Sequence, residues 1–494
     1  MGCLKASCFV DLCSGGIVSV TLWEKMQEGI DMKIHLPQNV DYIINELIKH
    51  GYDAYAVGGC IRDSILGKEP EDWDITTSAK PLEIKQIFKR TIDTGIQHGT
   101  VTVMLDKEGY EVTTYRIDGE YEDNRHPKSV EFTTNLTEDL RRRDFTINAM
   151  AFNELEGLVD VFGGLDDLKD GIIRCVGSAV ERFEEDALRI LRAVRFSAQL
   201  GFCIEEGTIQ AVKEKVQNLE HISAERIRVE LNKLLLSPHP EKLLDAYSTG
   251  ITKTILPEFN AMMERDSVGS LPKETVGQNT LKAIALVGNS HKTETVFGHL
   301  TEQKEYTKQE ILILKWAMLL RRIAVPRDSS EIEVEEDFIF QDRASAATAK
   351  EILKRLKFDN DTVDTVYRLV LWNTYTIPIT AAKLRRSIYQ VGADIMELLL
   401  EVQKAGLMAE NASDMECECK KLEQASELLY EIKSKKQCVC LKMLKINGKD
   451  LISIGFKPGV ILGETLEKLL LKVIEEPSLN DRDILLKMAS GYLE

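Results

Sequence analysis

The 494-residue sequence has no apolar run long enough to span a bilayer, and the short stretch Ile17–Leu22 falls well below the core of a signal peptide. A cytoplasmic chain with no membrane partner is therefore expected. Ten cysteines are present, but none fall in small-domain disulfide spacing, which agrees with a reducing compartment. The pairs Cys417/Cys419 and Cys438/Cys440 offer four thiolates, although zinc ribbons favour C-x₂-C spacing and this stretch reads as helix and loop. Positive charge is also scarce. With 63 Lys and Arg against 80 Asp and Glu, the net charge of −17 excludes a protein that coats nucleic acid nonspecifically. Any RNA contact must come from a local basic surface. Internal repeats and low-complexity tracts are lacking, apart from a polar connection around Pro326–Glu336.

What is present is a chain too long for one core, with roughly three or four domains expected. Residues 1–32 have no clear periodicity and read as an N-terminal extension. Ile43, Ile44, Leu47 and Ile48 recur at helical spacing before Gly51, which predicts a helix over Val40–Lys49. Strands are predicted at Tyr52–Val57, Trp73–Thr76, Gly99–Leu105, Tyr110–Tyr115 and Val130–Thr133, with a short helix at Ile61–Leu66 after the Gly58-Gly59 turn. From Ala179 onward the apolar spacing is helical. The expectation is an α/β head with a mixed sheet of the five-stranded type, followed by an elongated all-α remainder.

The sharpest chemical pattern is Gly58-Gly59-Cys60-Ile61-Arg62-Asp63 followed by Asp72-Trp73-Asp74. Two carboxylates one residue apart on a strand point to one face, where they can hold magnesium ions between a nucleoside triphosphate and an attacking hydroxyl. A diglycine lets backbone N–H groups approach phosphate, and Arg62 adds a charged donor. Glu111 is either a third carboxylate of this site, ligating metal or accepting a proton, or an edge-strand charge facing solvent. Arg141, Arg142 and Arg143 read either as a solvated helix end or as a clamp for ribose and phosphate.

Asp186, Arg189, Arg192 and Arg195 lie three apart in a segment that reads as one helix, so they are either an ion-pair stripe or a base-reading face. Cytosine and adenine each present an amino donor beside a ring-nitrogen acceptor, which an acceptor Asp186 and a donor Arg189 would match. Uracil and guanine reverse both polarities, at a cost on the order of several kcal/mol for buried mispaired groups.

Together these stretches, with Val159–Gly164 before Asp167-Leu168 and Ile222–Arg228, resemble the class II CCA-adding enzymes of the tRNA nucleotidyltransferase and bacterial poly(A) polymerase superfamily. The resemblance runs from about Val40 to the C-terminus. It implies template-independent addition and repair of the tRNA 3′-terminal CCA from CTP and ATP with release of pyrophosphate, by a two-metal mechanism. It implies Mg²⁺ at Asp72 and Asp74, with Gly59, Arg62 and Arg143 on the nucleotide and Asp186, Arg189, Arg192 and Arg195 forming its pocket. The implied domains are a head over 33–170, a neck over 171–240, a body over 241–400 and a tRNA-binding tail over 401–494. The tail contains Lys445–Leu451 and Gly455–Gly459.

The sequence departs from this subgroup in the body. An HD-like region would carry metal-binding histidines, but Asn279, Arg321-Arg322, Gln341 and Asn373 stand in those places, so a structural or RNA-contacting role is expected. Alternatives are a poly(A) polymerase and a partial enzyme adding only CC or only A. The stretch Arg116–Arg125 resembles the loop that CC-only enzymes lack. A passive RNA-binding protein is disfavoured because nothing in passive binding requires the carboxylate pair, and an HD phosphohydrolase because its ligands are missing.

Overall fold

The computed structural model describes residues 34–119, 130–266, 274–288, 305–324, 334–410 and 415–493, with side chains of 118 and 334–340 left aside. The N-terminal extension with Cys3, Cys8 and Cys13, residues 120–125 of the loop, and most of the Pro326–Glu336 connection lie outside these residues. The chain forms two compact units. One comprises residues up to Asp186 together with Cys203–Ala211, and the other Ala187–Phe202 together with Val212 onward.

In the first unit, the helix Gln38–Lys49 buries Val40, Ile43, Ile44 and Leu47 at helical spacing against the sheet. Each such aliphatic burial stabilises the fold by roughly 1.5–3 kcal/mol. Gly51, at φ +87°, turns the chain into β1 (Ala54–Val57), whose four residues are all buried. The further strands are β2 (Ile75–Thr77), β3 (Thr91–Gly95), β4 (Thr100–Leu105), β5 (Glu108–Thr114), β6 (Arg116–Asp118), β7 (Val130–Phe132), β8 (Met150–Asn153) and β9 (Gly157–Asp160), with β10 (Ile172–Ile173) and β11 (Cys203–Ile204) forming a small separate pair.

The main sheet has seven strands in the order β3-β4-β5-β2-β1-β8-β9, more than the five-stranded type expected. The strands not foreseen are β3, β8 and β9. Thr91–Gly95 is mostly exposed and Gly157–Asp160 only half-buried, so neither edge strand shows the alternation that betrays a half-buried strand. Val130–Phe132 is a strand, but it pairs with β6 outside the main sheet. All main-sheet neighbours are antiparallel except β2 and β5, which run parallel with Ile75 opposite Val112. That one parallel pair brings the starts of two central strands to the same edge.

The second unit contains no strand among the described residues. The helices Leu188–Leu200 and Ala224–Leu235 pack together, and the indole of the fully buried Trp316 donates to Asn232 Oδ1 at 2.8 Å. Near the C-terminus, Leu451, Phe456, Leu469, Leu470, Val473 and Leu485 form a separate cluster that includes Cys438. No helix among the described residues is long and apolar enough to cross a membrane.

Candidate active site

Asp72 and Asp74 stand on the extended segment that leads into β2, rather than on the strand itself as expected. The strand begins at Ile75 because β1 ends at Val57, whose N–H donates to the Asp74 carbonyl at 2.9 Å; beyond that bond the Gly58 turn carries β1 away. In the parallel register Ile75↔Val112, Glu111 is the residue of β5 just before the partner of Ile75. Glu111 therefore belongs beside the aspartates and not on an edge strand. All three carboxylates keep an open side.

Their electrostatics agree with this placement. Crowding by surrounding protein raises the Asp74 pKa, Arg143 pulls it back, and Asp72 pushes it up further. Glu111 is raised first by partial burial, then by Asp74 and then by Asp72. The three carboxylates concentrate negative charge at this edge of the sheet.

The turn opposite is built around glycine. Gly58 adopts φ +89°, and a Cβ there would lie 3.0 Å from Nη1 of Arg143, so a side chain at 58 is disfavoured by both backbone and space. At Gly59 a Cβ would meet Arg62 only in ordinary contact. Arg62 is itself nearly buried, gripping Asp63 with two bonds of 2.8–2.9 Å and donating to Asn148 Oδ1 at 2.6 Å. Asn148 in turn donates to Asp144.

The three arginines divide their work. Arg141 pairs at the surface with Glu138, Arg142 is bound to the fully buried Asp139, and Arg143 touches Asp139 only at 3.5 Å. Asp139 is not among the residues that the sequence motifs single out. The spacing of Asp139, three and four residues before Arg142 and Arg143 at the end of the helix Leu136–Arg141, was the available signal.

The segment Glu185–Phe196 is not one helix. Asp186 is the extended residue that ends the helix Ala179–Glu185, with φ −139° and ψ 101°, and the next helix starts at Leu188. Only Arg189, Arg192 and Arg195 share a helix face, and Asp186 belongs to the other compact unit. Within the helical unit Arg195 is buried, with Nε 2.5 Å from Glu230, Nη1 2.5 Å from Gln199 and its guanidinium over Phe196. Arg192 lies half-buried, its guanidinium carbon 5.3 Å from the Phe196 ring.

The chain matches three family models: "Poly A polymerase head domain" over residues 54–174, "Probable RNA and SrmB- binding site of polymerase A" over 201–263, and tRNA nucleotidyltransferase domain 2 over 334–489. It is 36% identical to a CCA-adding enzyme of Ligilactobacillus salivarius, covering 92% of this chain and 96% of the relative. The chain belongs to the CCA-adding enzyme family. A Streptococcus suis CCA-adding enzyme is 34% identical over the same shares of both chains. The Bacillus stearothermophilus CCA-adding enzyme solved in complex with CTP superposes with a TM-score of 0.66 at 28% identity, covering 92% of this chain and 97% of that one. Membership makes this chain a tRNA nucleotidyltransferase with a mixed-sheet head and a helical remainder, as the resemblance implied.

The positions where metal-binding histidines would be expected are occupied by packed side chains. Arg321 is buried, Arg321 and Arg322 both approach Glu410 at 3.4 and 2.8 Å, and Arg265 donates to the carbonyls of Arg322 and Ala324. Asn279 and Asn373 are buried, and Gln341 is half-buried. Asp342 accepts from the N–H and hydroxyl of Thr374, and burial pushes its pKa up to about 6. Cys419 and Cys438 are buried and Cys417 is exposed. Among the described residues no group of three or more His, Cys, Asp or Glu side chains is placed to hold an ion by itself. Near the C-terminus, Asn447 and Asp450 form a capping box for the helix Gly448–Ser453, and Lys445, Lys449 and Lys457 are exposed.

Proposed function

We propose that this chain adds and repairs the 3′-terminal CCA of tRNA, using CTP and ATP and releasing pyrophosphate. The observation that carries the reading is the meeting of Asp72, Asp74 and Glu111 at one edge of the parallel β2–β5 pair, opposite Arg143 and the Gly58 turn.

Asp72 and Asp74 are the residues that would hold Mg²⁺, and the donor set fits: magnesium is usually held by one or two carboxylates and completed by phosphate and water oxygens. When bound, the ion neutralises triphosphate charge and increases the acidity of the tRNA 3′-hydroxyl. The chain's own residues do the rest. Arg143 stabilises negative charge on the triphosphate, while Arg62, committed to Asp63 and Asn148, holds the glycine turn in shape for the nucleotide. Glu111, with its raised pKa, is suited to take the proton of the 3′-hydroxyl as that oxygen bonds to the α-phosphorus and the bond to the bridging oxygen of pyrophosphate breaks. Arg189 and Arg192, on one face of the helix Leu188–Leu200, donate to the base of the incoming nucleotide, and exposed lysines near the C-terminus meet tRNA phosphates.

A poly(A) polymerase is the second reading, favoured by the match of the head over residues 54–174. The deciding assay supplies labelled CTP and ATP separately to tRNAs ending before CCA, after C and after CC. Incorporation of CMP on the first two and of AMP only on the third is expected, and both are lost in Asp72→Ala and Asp74→Ala with the fold unchanged. AMP runs on all three substrates would favour the polymerase. Wild-type turnover in either aspartate variant would refute the site.

A further inference from the structure

Asp139 has no place in the chemistry so far, yet it is fully buried and crowded with donors. Its Oδ1 accepts from Arg142 Nε at 2.9 Å and Nη2 at 2.7 Å and from the Arg116 backbone N–H at 3.4 Å. Its Oδ2 accepts from Thr76 Oγ1 at 3.1 Å and from Arg143 Nη2 at 3.5 Å. A buried charge survives only when compensated in this way, so the group is built and not incidental.

The two oxygens have different partners and different consequences. Oδ1 is fastened by Arg142 and the start of β6. Oδ2 joins two parts of the site, because Thr76 lies on β2 two residues after Asp74, and Arg143 is the arginine that acts on Asp74. Arg143 is aimed but not saturated. Its contact with Asp139 is long, its Nε is buried without a hydrogen-bond partner, and its Nη1 lies in the space left by the missing side chain of Gly58.

We propose that Asp139 is a positioning residue that fixes Arg143 relative to β2, the strand that follows directly on the two aspartates, so that the guanidinium of Arg143 receives the triphosphate. Arg142 is then the anchor of Asp139 and does not touch the nucleotide. This rests on the reading of Arg143 as a triphosphate ligand.

The test is a double-mutant cycle on kcat/KM for CTP and for ATP, with Asp139→Asn, Arg143→Ala and the combined variant, alongside thermal melts. Because the triphosphate and not the base is affected, Asp139→Asn is expected to lower kcat/KM at least ten-fold and equally for CTP and ATP, and to lower it less than three-fold once Arg143 is already alanine. A residue that merely holds the fold gives factors that multiply, and that result overturns the proposal, as does a wild-type kcat/KM in Asp139→Asn. Should Asp139→Asn fail to fold, Thr76→Val severs the tether while leaving every charge in place. It is expected to cost a few-fold in the wild-type background and nothing beside Arg143→Ala, and multiplying effects again overturn the proposal. Failure of the wild-type chain to incorporate either nucleotide would instead count against the proposed function.

Discussion

The guanidinium of Arg321 occupies the room that a side chain at Gly406 would need, since a Cβ there would lie 2.1 Å from Arg321 Nη1. Gly406 sits inside the helix Met396–Glu410, where alanine is intrinsically better by about 1 kcal/mol. The clash outweighs that gain. Gly406→Ala is expected to destabilise the chain by roughly 1–3 kcal/mol in urea unfolding. In an Arg321→Met background the same change should become neutral or stabilising, and an unchanged penalty there would show that the guanidinium is not its cause.

Asp342 gives a pH signature. Its folded pKa of about 6 lies above the ordinary carboxylate value, so the folded state binds more protons than the unfolded one between about pH 4 and 6. This group's contribution to stability therefore falls as pH rises through that window. Asp342→Asn, which can still accept from Thr374, should be more stable than wild type at pH 7 by on the order of 2 kcal/mol, with the difference vanishing near pH 4. Equal unfolding free energies of the two proteins at pH 7 would contradict this.

The region around Arg321, Arg322 and Glu410 should have no phosphohydrolase activity. Arg321 and Arg322 offer cationic donors where a metal site needs imidazole and carboxylate ligands, and Glu410 is already engaged by both. Incubation of an Asp72→Ala variant with 2′,3′-cyclic nucleotides and nickel, cobalt or manganese is expected to release no phosphomonoester. Turnover that scales with added metal would refute it.

Base choice tests the remaining pocket residues. If Asp186 accepts the amino group of the base, Asp186→Ala should raise UMP and GMP incorporation relative to CMP and AMP by roughly one or two orders of magnitude. Overall catalysis should fall less than selectivity. The measurement is kcat/KM for all four triphosphates on a tRNA lacking CCA, in Asp186→Ala and Arg189→Ala. Unchanged discrimination in both would remove the templating role. Arg195→Ala is different: with Glu230 left buried beside it, the expected loss is of stability, about 3–5 kcal/mol.

How legible all this was in the sequence depended on where each signal resided. The helix Gln38–Lys49 and strands β1, β4 and β5 follow from apolar spacing, because burial on one or both faces writes itself into local pattern. Edge strands β3 and β9 bury too little to do so. Asp72 and Asp74 were visible as a motif, whereas the location of Glu111 depends on the parallel register of β5 with β2, a pairing between distant segments. The periodic triplets from Asp186 to Arg195 suggested one face, but the backbone breaks at Asp186, and periodicity alone is blind to that break. Asp139 was hidden for the opposite reason. A charged residue in a polar helix end reads as solvated until the tertiary fold buries it.

The parallel pairing of β2 with β5 has a consequence for how the protein comes into being. Parallel neighbours cannot be closed by a hairpin, so the chain must first travel out through β3 and β4 and return before Thr76 meets Thr113, 37 residues away, and Arg62 must wait a further stretch for Asn148, 86 residues on. Each of these closures costs chain entropy before any contact rewards it. On the ribosome, the head cannot complete its glycine turn until Asn153 has emerged to let β8 zip onto β1. Nascent chains shorter than this carry both aspartates but lack the strand whose Met150 carbonyl accepts from the Gly58 N–H.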